Sequence, residues 1–114
     1  MADIIVTLPS RTEWGDYQKE LDAVANRKAN LRFKVGNFPS DAGRGSRCYV
    51  AWRGHVRGWM EIVGFWSGTF ICEVTEKVWS GKFIERSGPF HKIDGPSMKG
   101  FQGWRYYTED DGDS

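Results

Sequence analysis

The residues of this chain that are best suited to chemistry are basic and aromatic side chains, which alternate through its middle third. Residues 26–60 carry eight basic side chains and one acidic one, Asp41, a local net charge of +7 although the whole chain is only +1. Phe33, Tyr49 and Trp52 stand among these cations. Because cations neutralise phosphates and aromatic rings stack on bases, this pattern predicts a face that binds nucleic acid or a nucleotide.

The candidate binding residues form two groups along the chain. One group lies near residue 30, and the other is a hairpin, Arg53–Trp59, that places guanidinium, imidazole and indole groups at one end. Such a hairpin could hold a flipped or single-stranded base. The alternative is that these cations alternate outward on strands and serve only solubility. The predicted set is Arg27, Lys28, Arg32, Lys34, Trp52, Arg53, His55, Arg57 and Trp59.

Metal and thiol chemistry are not expected. The only cysteines and histidines are Cys48, His55, Cys72 and His91, whose spacing matches no zinc motif, so no metal and no cofactor is predicted. A hairpin turn at Arg53-Gly54 would set Cys48 opposite Trp59. His55 would then face Trp52. The imidazole and the thiol would lie about four residues apart along the strands, or about 13 Å at about 3.3 Å per residue. That distance is too long for a nucleophilic pair. Both cysteines are expected to be small buried hydrophobes.

A carboxylate pair is the other candidate for catalysis. A turn expected at Ser80-Gly81 would set Glu76 opposite Glu85. Two facing carboxylates raise the pKa of one of them, which suits a general acid. The alternative is that a one-residue bulge, or a neighbouring Lys77 or Lys82, removes the effect.

The predicted secondary structure begins with a strand and a helix. Asp3–Leu8 is rich in β-forming residues. A capping box at Ser10–Glu13 precedes apolar residues at helical spacing up to Ala25, which predicts an amphipathic helix of about 15 residues. Leu31–Val35 is the next expected strand, and Gly36–Ser46 is a long loop of the kind that is more often functional than idle.

From Arg47 onward the pattern predicts an antiparallel meander. Strands are expected over Arg47–Arg53, His55–Trp66, Thr69–Trp79, Lys82–Ser87 and Gly103–Tyr107. Tight turns are expected at the glycines between them. Four tryptophans lie on successive predicted strands, namely Trp52, Trp59, Trp66 and Trp79, and at least half of them should be buried. The expected fold class is α+β, a small, mostly antiparallel β-barrel with one N-terminal amphipathic helix, closed so that no sheet edge is exposed.

Length and composition limit the class of protein further. The 114 residues suffice for a single domain over 1–108, followed by an acidic tail over 109–114 that is expected to be disordered. Two cysteines make no disulfide framework, and no signal peptide or long apolar run is present, so a cytoplasmic location without a membrane partner is expected. Neither a Rossmann fingerprint nor a P-loop motif occurs.

The order of these features resembles the PUA-like superfamily, in particular its ASCH branch. A short strand and a capped helix precede Ala25–Arg32, and a loop with glycine and proline leads to Gly45–Gly58. In that branch the helix ends in a G-x-K-x-x-E-x-R motif. Lys28 and Arg32 match the lysine and arginine with a gap one residue shorter, Asn26 replaces the glycine, and the glutamate is absent.

The resemblance implies a β-barrel whose cleft, beside the helix, receives RNA, DNA or a modified nucleoside. Some members of the branch are amidohydrolases that act on N4-acetylcytidine, and others cleave RNA. In such an enzyme Lys28 would carry over as the motif lysine. Glu73, Glu76 or Glu85 would carry over as a later glutamate, whereas the family's threonine has no counterpart, because Ala29 follows the lysine.

Three functions follow from these observations. The first is a PUA-like domain that binds nucleic acid or a modified nucleotide in a basic, aromatic-rimmed cleft. The second is a nucleoside amidohydrolase or ribonuclease of the same fold, in which a lysine desolvated beside a carboxylate would be the reactive group. The third is a small protein–protein inhibitor or adaptor of the kind that mobile elements encode, with exposed tryptophan and arginine as anchors.

Overall fold

The protein is built around one mixed β-sheet. The computed structural model describes residues 1–8, 13–15, 17–19, 30–71, 76–101 and 103–107. Its strands are β1 (Asp3–Thr7), β2 (Asn30–Val35), β3 (Arg47–Trp52), β4 (His55–Ile71), β5 (Val78–Lys92) and β6 (Trp104–Tyr107). Their order across the sheet is β2-β5-β4-β3-β1-β6, with β1 parallel to β3 and every other neighbouring pair antiparallel. The described sheet ends at β2 and β6, so the expected closed barrel is wrong.

The predicted N-terminal helix is described only in part. Trp14, Gly15 and Tyr17–Lys19 are helical, and the amide of Tyr17 donates to the carbonyl of Glu13, as in the first turn of a helix. The rest of the predicted helix and the acidic tail over 109–114 lie outside the described residues.

The short strands agree with the sequence prediction. β1, β2, β3 and β6 each match their predicted ranges to within one residue at either end. The turn at Arg53-Gly54 is also confirmed, because its two residues have φ of 46° and 83°, the paired positive values that a type I′ hairpin requires. A local signal, a basic residue followed by glycine between two alternating runs, was enough to locate this hairpin.

The middle of the meander differs from the prediction. The sequence predicts turns at Ser67-Gly68 and Ser80-Gly81, but β4 and β5 run straight through both dipeptides, and their glycines pair across the ladder. The chain reverses instead between Ile71 and Val78. The two glycines have φ of 151° and 136°, so they permit an extended backbone that other residues rarely adopt, rather than a turn.

Two hydrophobic cores lie on opposite faces of the sheet. The first face, here called the helix face, is covered by the helical residues Trp14 and Tyr17, and its buried residues include Ile4, Val6, Cys48, Val50, Met60, Ile62 and Ile84. On the second face, residues 93–101 cover a smaller core formed by Ile5, Tyr49, Ala51, Val56 and Tyr107. This core ends at Trp59, so from Trp59 onward the second face of β4, together with that of β5, β2 and the start of β3, forms a separate surface, here called the open face.

β4 and β5 continue beyond their neighbours as a two-stranded arm. β3 pairs with β4 only as far as Glu61, and β2 pairs with β5 only from Lys82 to Ser87. The paired segments 68–71 and 78–81 therefore protrude from the sheet as an arm. Large hydrophobic side chains are exposed on or beside it: Phe65, Ile71, Val78 and Trp79.

Tryptophan burial is lower than predicted. None of the four meander tryptophans is buried. Trp52, Trp59 and Trp66 are half-buried, and Trp79 is exposed, at 42%. The buried residues are instead mostly aliphatic, and the buried aromatic rings are those of Tyr17, Tyr49, Phe83 and Tyr107. Trp52 and Trp59 consequently pack at the rims of the two cores.

Candidate nucleic-acid interface

The sheet divides the predicted binding residues between its two faces. Side chains alternate between faces along a strand, and Phe33 belongs to the helix-face core. Its neighbours Arg32 and Lys34 therefore project from the open face, where both are exposed. Trp59 packs at the edge of the second-face core, whereas Trp52 packs against the helix-face core. The structure thus forms two cation–indole surfaces rather than one cleft.

The first surface, here called the hairpin cluster, consists of Trp52, Arg53 and Arg57. The two guanidinium carbons lie 4.5 Å and 5.3 Å from the Trp52 ring centroid. Nε of Arg57 also donates to the Trp52 carbonyl at 3.3 Å. The same indole stacks on Trp14 with a centroid distance of 5.6 Å. His55 pairs with Trp52 across the ladder and is exposed. The hairpin cluster therefore joins the β3–β4 turn to the helical segment.

The second surface lies on the open face and includes a stack around Trp59. The guanidinium carbon of Arg47 is 4.2 Å from the indole centroid, and the His91 imidazole stacks on the indole at 3.9 Å and 18°. Because β3 and β5 flank β4, these two groups reach Trp59 from opposite sides. Nη1 of Arg47 donates to the Tyr49 hydroxyl at 3.3 Å, which orients the guanidinium.

A second guanidinium–indole pair lies further along β4 on the open face. The guanidinium carbon of Arg32 is 4.6 Å from the Trp66 ring centroid, and its Nε donates to the Glu85 carboxylate at 3.0 Å. Trp66 also packs against Phe83 at 5.5 Å between ring centroids. β5 lies between β2 and β4, so the ion pair holds the arginine in position to cross β5 and reach the indole.

Lys34 adds a flexible cation beside this pair. Its side chain crosses β5 above Gly81, and its Cε lies 3.0 Å from the position that a Cβ at residue 81 would occupy. Glycine at this position therefore makes room for the lysine chain. The open face as a whole carries Arg32, Lys34, Arg47, Trp59, Trp66 and His91.

The predicted catalytic carboxylates are not brought together. Glu85 lies in the middle of β5, in register with Arg32 on one side and Gly64 on the other. Glu76 lies in the connection between β4 and β5, with a positive φ of 59°. The predicted facing pair is wrong because β5 continues through the expected turn. Arg27, Lys28 and Glu73 lie outside the described residues.

Cys48 is buried, as predicted, although its register differs from the prediction. His55 faces Trp52 as expected, but a bulge at Val50/Ala51 shifts the ladder by one residue and sets Cys48 opposite Met60. Burial raises the pKa of the Cys48 thiol, and a nearby arginine only partly opposes that rise. A thiol of raised pKa is a weak nucleophile, so Cys48 acts as a core residue.

That arginine, Arg86, is a cation buried on the helix face. It is 2% exposed, its Nη1 donates to the Tyr17 hydroxyl at 3.4 Å, and its guanidinium lies 5.6 Å from the Phe33 ring centroid. Burial lowers the pKa of Arg86, but Tyr17 and Cys48 raise it by more. Arg86 therefore stays charged and links the helical segment to the sheet.

Sequence reasoning missed three members of the open face. Arg47 carried a signal, because it belongs to the basic stretch and alternates with Tyr49. Trp66 is one of four tryptophans of which the sequence predicts at least half to be buried, so nothing marks it as a surface residue. His91 is 32 residues from Trp59 in sequence, and only the long-range pairing of β4 with β5 brings the two together.

Within the part of the chain that the structure describes, no group of three or more His, Cys, Asp or Glu side chains is placed to hold a metal ion. None of the described helical residues belongs to a helix long and apolar enough to cross a membrane.

Comparison with known proteins gives no relative. No protein-family model matches the chain, and no match was found among curated proteins or solved structures. The resemblance to the PUA-like superfamily and its ASCH branch therefore stays a prediction from sequence.

Proposed function

We propose that the protein binds single-stranded nucleic acid, RNA or DNA, on the open face of its sheet. The observation that carries this proposal is that Arg32 and Arg47 each lie over an indole on the same face. A guanidinium is planar, stacks on bases and hydrogen-bonds phosphate oxygens, so an arginine held in place over a ring loses little freedom when a ligand arrives.

The spacing of the two pairs favours a strand over a mononucleotide. Trp59 and Trp66 are seven residues apart on β4, one of which lies in an irregularity at Ile62/Gly64. At about 3.3 Å per residue, the indoles are about 20 Å apart. Since Arg47 and His91 already stack on Trp59, bases would stack on these outer groups rather than on the indole itself.

The charge of the open face predicts modest, salt-dependent affinity. Arg32, Lys34 and Arg47 are accompanied by two carboxylates, Glu85, which is ion-paired with Arg32, and Glu61, which is in register with Arg47. Three phosphate contacts would give the logarithm of the binding constant a slope of about −2 against the logarithm of salt concentration. Stacking on the guanidinium groups would supply the part of the affinity that salt does not remove.

The test is fluorescence anisotropy with a labelled single-stranded oligonucleotide at several salt concentrations. Lys34→Ala should weaken binding several-fold and flatten the salt slope by about 0.7, because one phosphate contact is lost. The matched control is Lys19→Ala, an exposed lysine of the helical segment that covers the opposite face. Absence of binding by the wild-type chain, or an equal loss in both variants, would contradict the proposal.

The hydrolase alternative has no observation in its favour among the described residues. Glu85 is engaged by Arg32, and Glu76 lies in a different part of the molecule. The simplest control incubates the protein with N4-acetylcytidine and with RNA, and no turnover is expected.

A further inference from the structure

The arm presents a strand edge of unusual composition. From Ile62 to Ile71, β4 contains no charged residue and no proline. Within the described sheet, the segment from Ser67 to Ile71 has β5 on one side and no paired strand on the other. Proteins normally protect such an edge with charges, proline or short strands, because an unprotected edge is a template for another strand.

We propose that this edge pairs with the same edge of a second copy of the chain, antiparallel about a two-fold axis at Gly68. A charged partner strand would find no complementary charge along this edge, whereas a second copy brings a strand that is equally uncharged. Pairing of the same patch on both copies is the symmetry that most soluble dimers adopt.

The apolar side chains select the register. With the axis at Gly68, each Phe65 faces Ile71 of the second copy, and each Ser67 faces Thr69 of the second copy. Within one arm, Ile71 already faces Val78. The pairing thus forms one apolar row across the interface between the two copies, here called the seam. The row contains Phe65, Ile71 and Val78, which are 36%, 64% and 65% exposed in the single chain. An axis one residue away, at Ser67, would set Phe65 opposite Thr69 instead.

The row continues into the core of each copy. Phe65 faces Ile84 on β5 and stacks on Phe38 at 5.1 Å between ring centroids, and Ile84 is fully buried in the helix-face core. Contacts across the seam would therefore extend an existing core instead of forming a separate patch. This pairing involves the arm alone and does not require nucleic-acid binding.

The test is the oligomeric state of the full chain, measured by sedimentation and light scattering over a wide concentration range. The wild-type chain should be a dimer at high micromolar concentration. Ser67→Glu should raise the dimer dissociation constant at least tenfold, because a carboxylate is placed in the seam. Within the chain, residue 67 faces Lys82, so the variant should keep its fold, as far-UV circular dichroism would verify.

The matched control is Ser97→Glu, an exposed serine on the segment that covers the other face, and its dimer should match the wild type. Because residue 67 faces residue 69 across the seam, a mixture of Ser67→Glu and Thr69→Lys chains should recover a dimer that neither variant forms alone. A wild-type monomer at all concentrations would overturn the proposal. A dimer that Ser67→Glu leaves intact would overturn it as well, and a mixture that stays monomeric would overturn the register.

Discussion

The hairpin cluster and the open face both place arginine over tryptophan, but they differ in what lies behind the ring. In the hairpin cluster, Trp52 stacks on Trp14 and packs against the helix-face core. On the open face, Trp66 leans over the arm, where its Cζ2 lies 3.3 Å from the position a Cβ on Gly68 would occupy. The first indole joins two elements of the fold, and the second supports a guanidinium at the surface.

This difference shows why a basic, aromatic sequence does not by itself assign a function. Guanidinium–indole contacts contribute to stability when the ring is packed between elements, and to recognition when the ring only orients the cation. The two surfaces of this protein should therefore respond differently to the same substitutions.

The largest expected difference is in stability. Trp52→Ala should lower the free energy of unfolding by about 3 kcal/mol, because it removes a large side chain packed between the hairpin and the helical segment. Trp66→Ala should cost half as much or less. Urea denaturation of both variants measures the two costs, and equal costs would remove the distinction between the surfaces.

The next effect concerns the glycine beneath Lys34. Gly81→Ala should lower the free energy of unfolding by about 2 kcal/mol, because alanine is strained at a φ of 136° and its Cβ meets the lysine chain. Gly64→Ala is the control, since a Cβ there has no heavy atom within 4 Å. Thermal melting of both variants checks the prediction, and a neutral Gly81→Ala would show that the arm does not depend on this backbone conformation.

A smaller effect separates the arginines by their role in binding. Arg47→Lys keeps the charge but loses the planar guanidinium, so oligonucleotide affinity should fall about fivefold, or about 1 kcal/mol. Arg53→Lys, the same change in the hairpin cluster, should leave affinity unchanged. Anisotropy titrations at one salt concentration compare them, and a larger loss for Arg53→Lys would move the interface to the hairpin cluster.

The smallest effect tests whether the helix face is a dry core. Burial raises the pKa of the Cys48 thiol in the folded protein. The stability that the buried, protonated thiol contributes is therefore complete at neutral pH and is lost as the pH rises through the folded-state pKa. The unfolding free energy of the wild type should therefore fall toward that of Cys48→Ala at alkaline pH. Urea denaturation at neutral and alkaline pH measures the gap, and a constant gap would show that the thiol is not desolvated.

The parts of the fold that local pattern determines were predictable from the sequence. β1, β2, β3 and β6 follow from short β-rich runs between turn signals, and the Arg53-Gly54 hairpin follows from its dipeptide. The long β4–β5 pair was not predictable from Gly68 and Gly81, because glycine signals a positive φ that an extended strand can also contain.

The candidate site was predictable only as a composition. Arg32, Lys34 and Trp59 were identified from charge and aromatic spacing, but their separation from Trp52 depends on strand order and on the bulge at Val50/Ala51. A one-residue shift in register exchanges the two faces of a strand, so no local pattern could assign these side chains to a surface.

The most direct test of the proposed interface follows the indole N–H signals by nuclear magnetic resonance during titration with a single-stranded oligonucleotide. Trp59 and Trp66 lie under the proposed binding groups, whereas Trp14 and Trp52 lie on the opposite side of the sheet. Binding on the open face should shift the signals of Trp59 and Trp66 as ligand is added, while those of Trp14 and Trp52 stay in place. Shifts confined to Trp14 and Trp52, or no shift at any of the four, would contradict it.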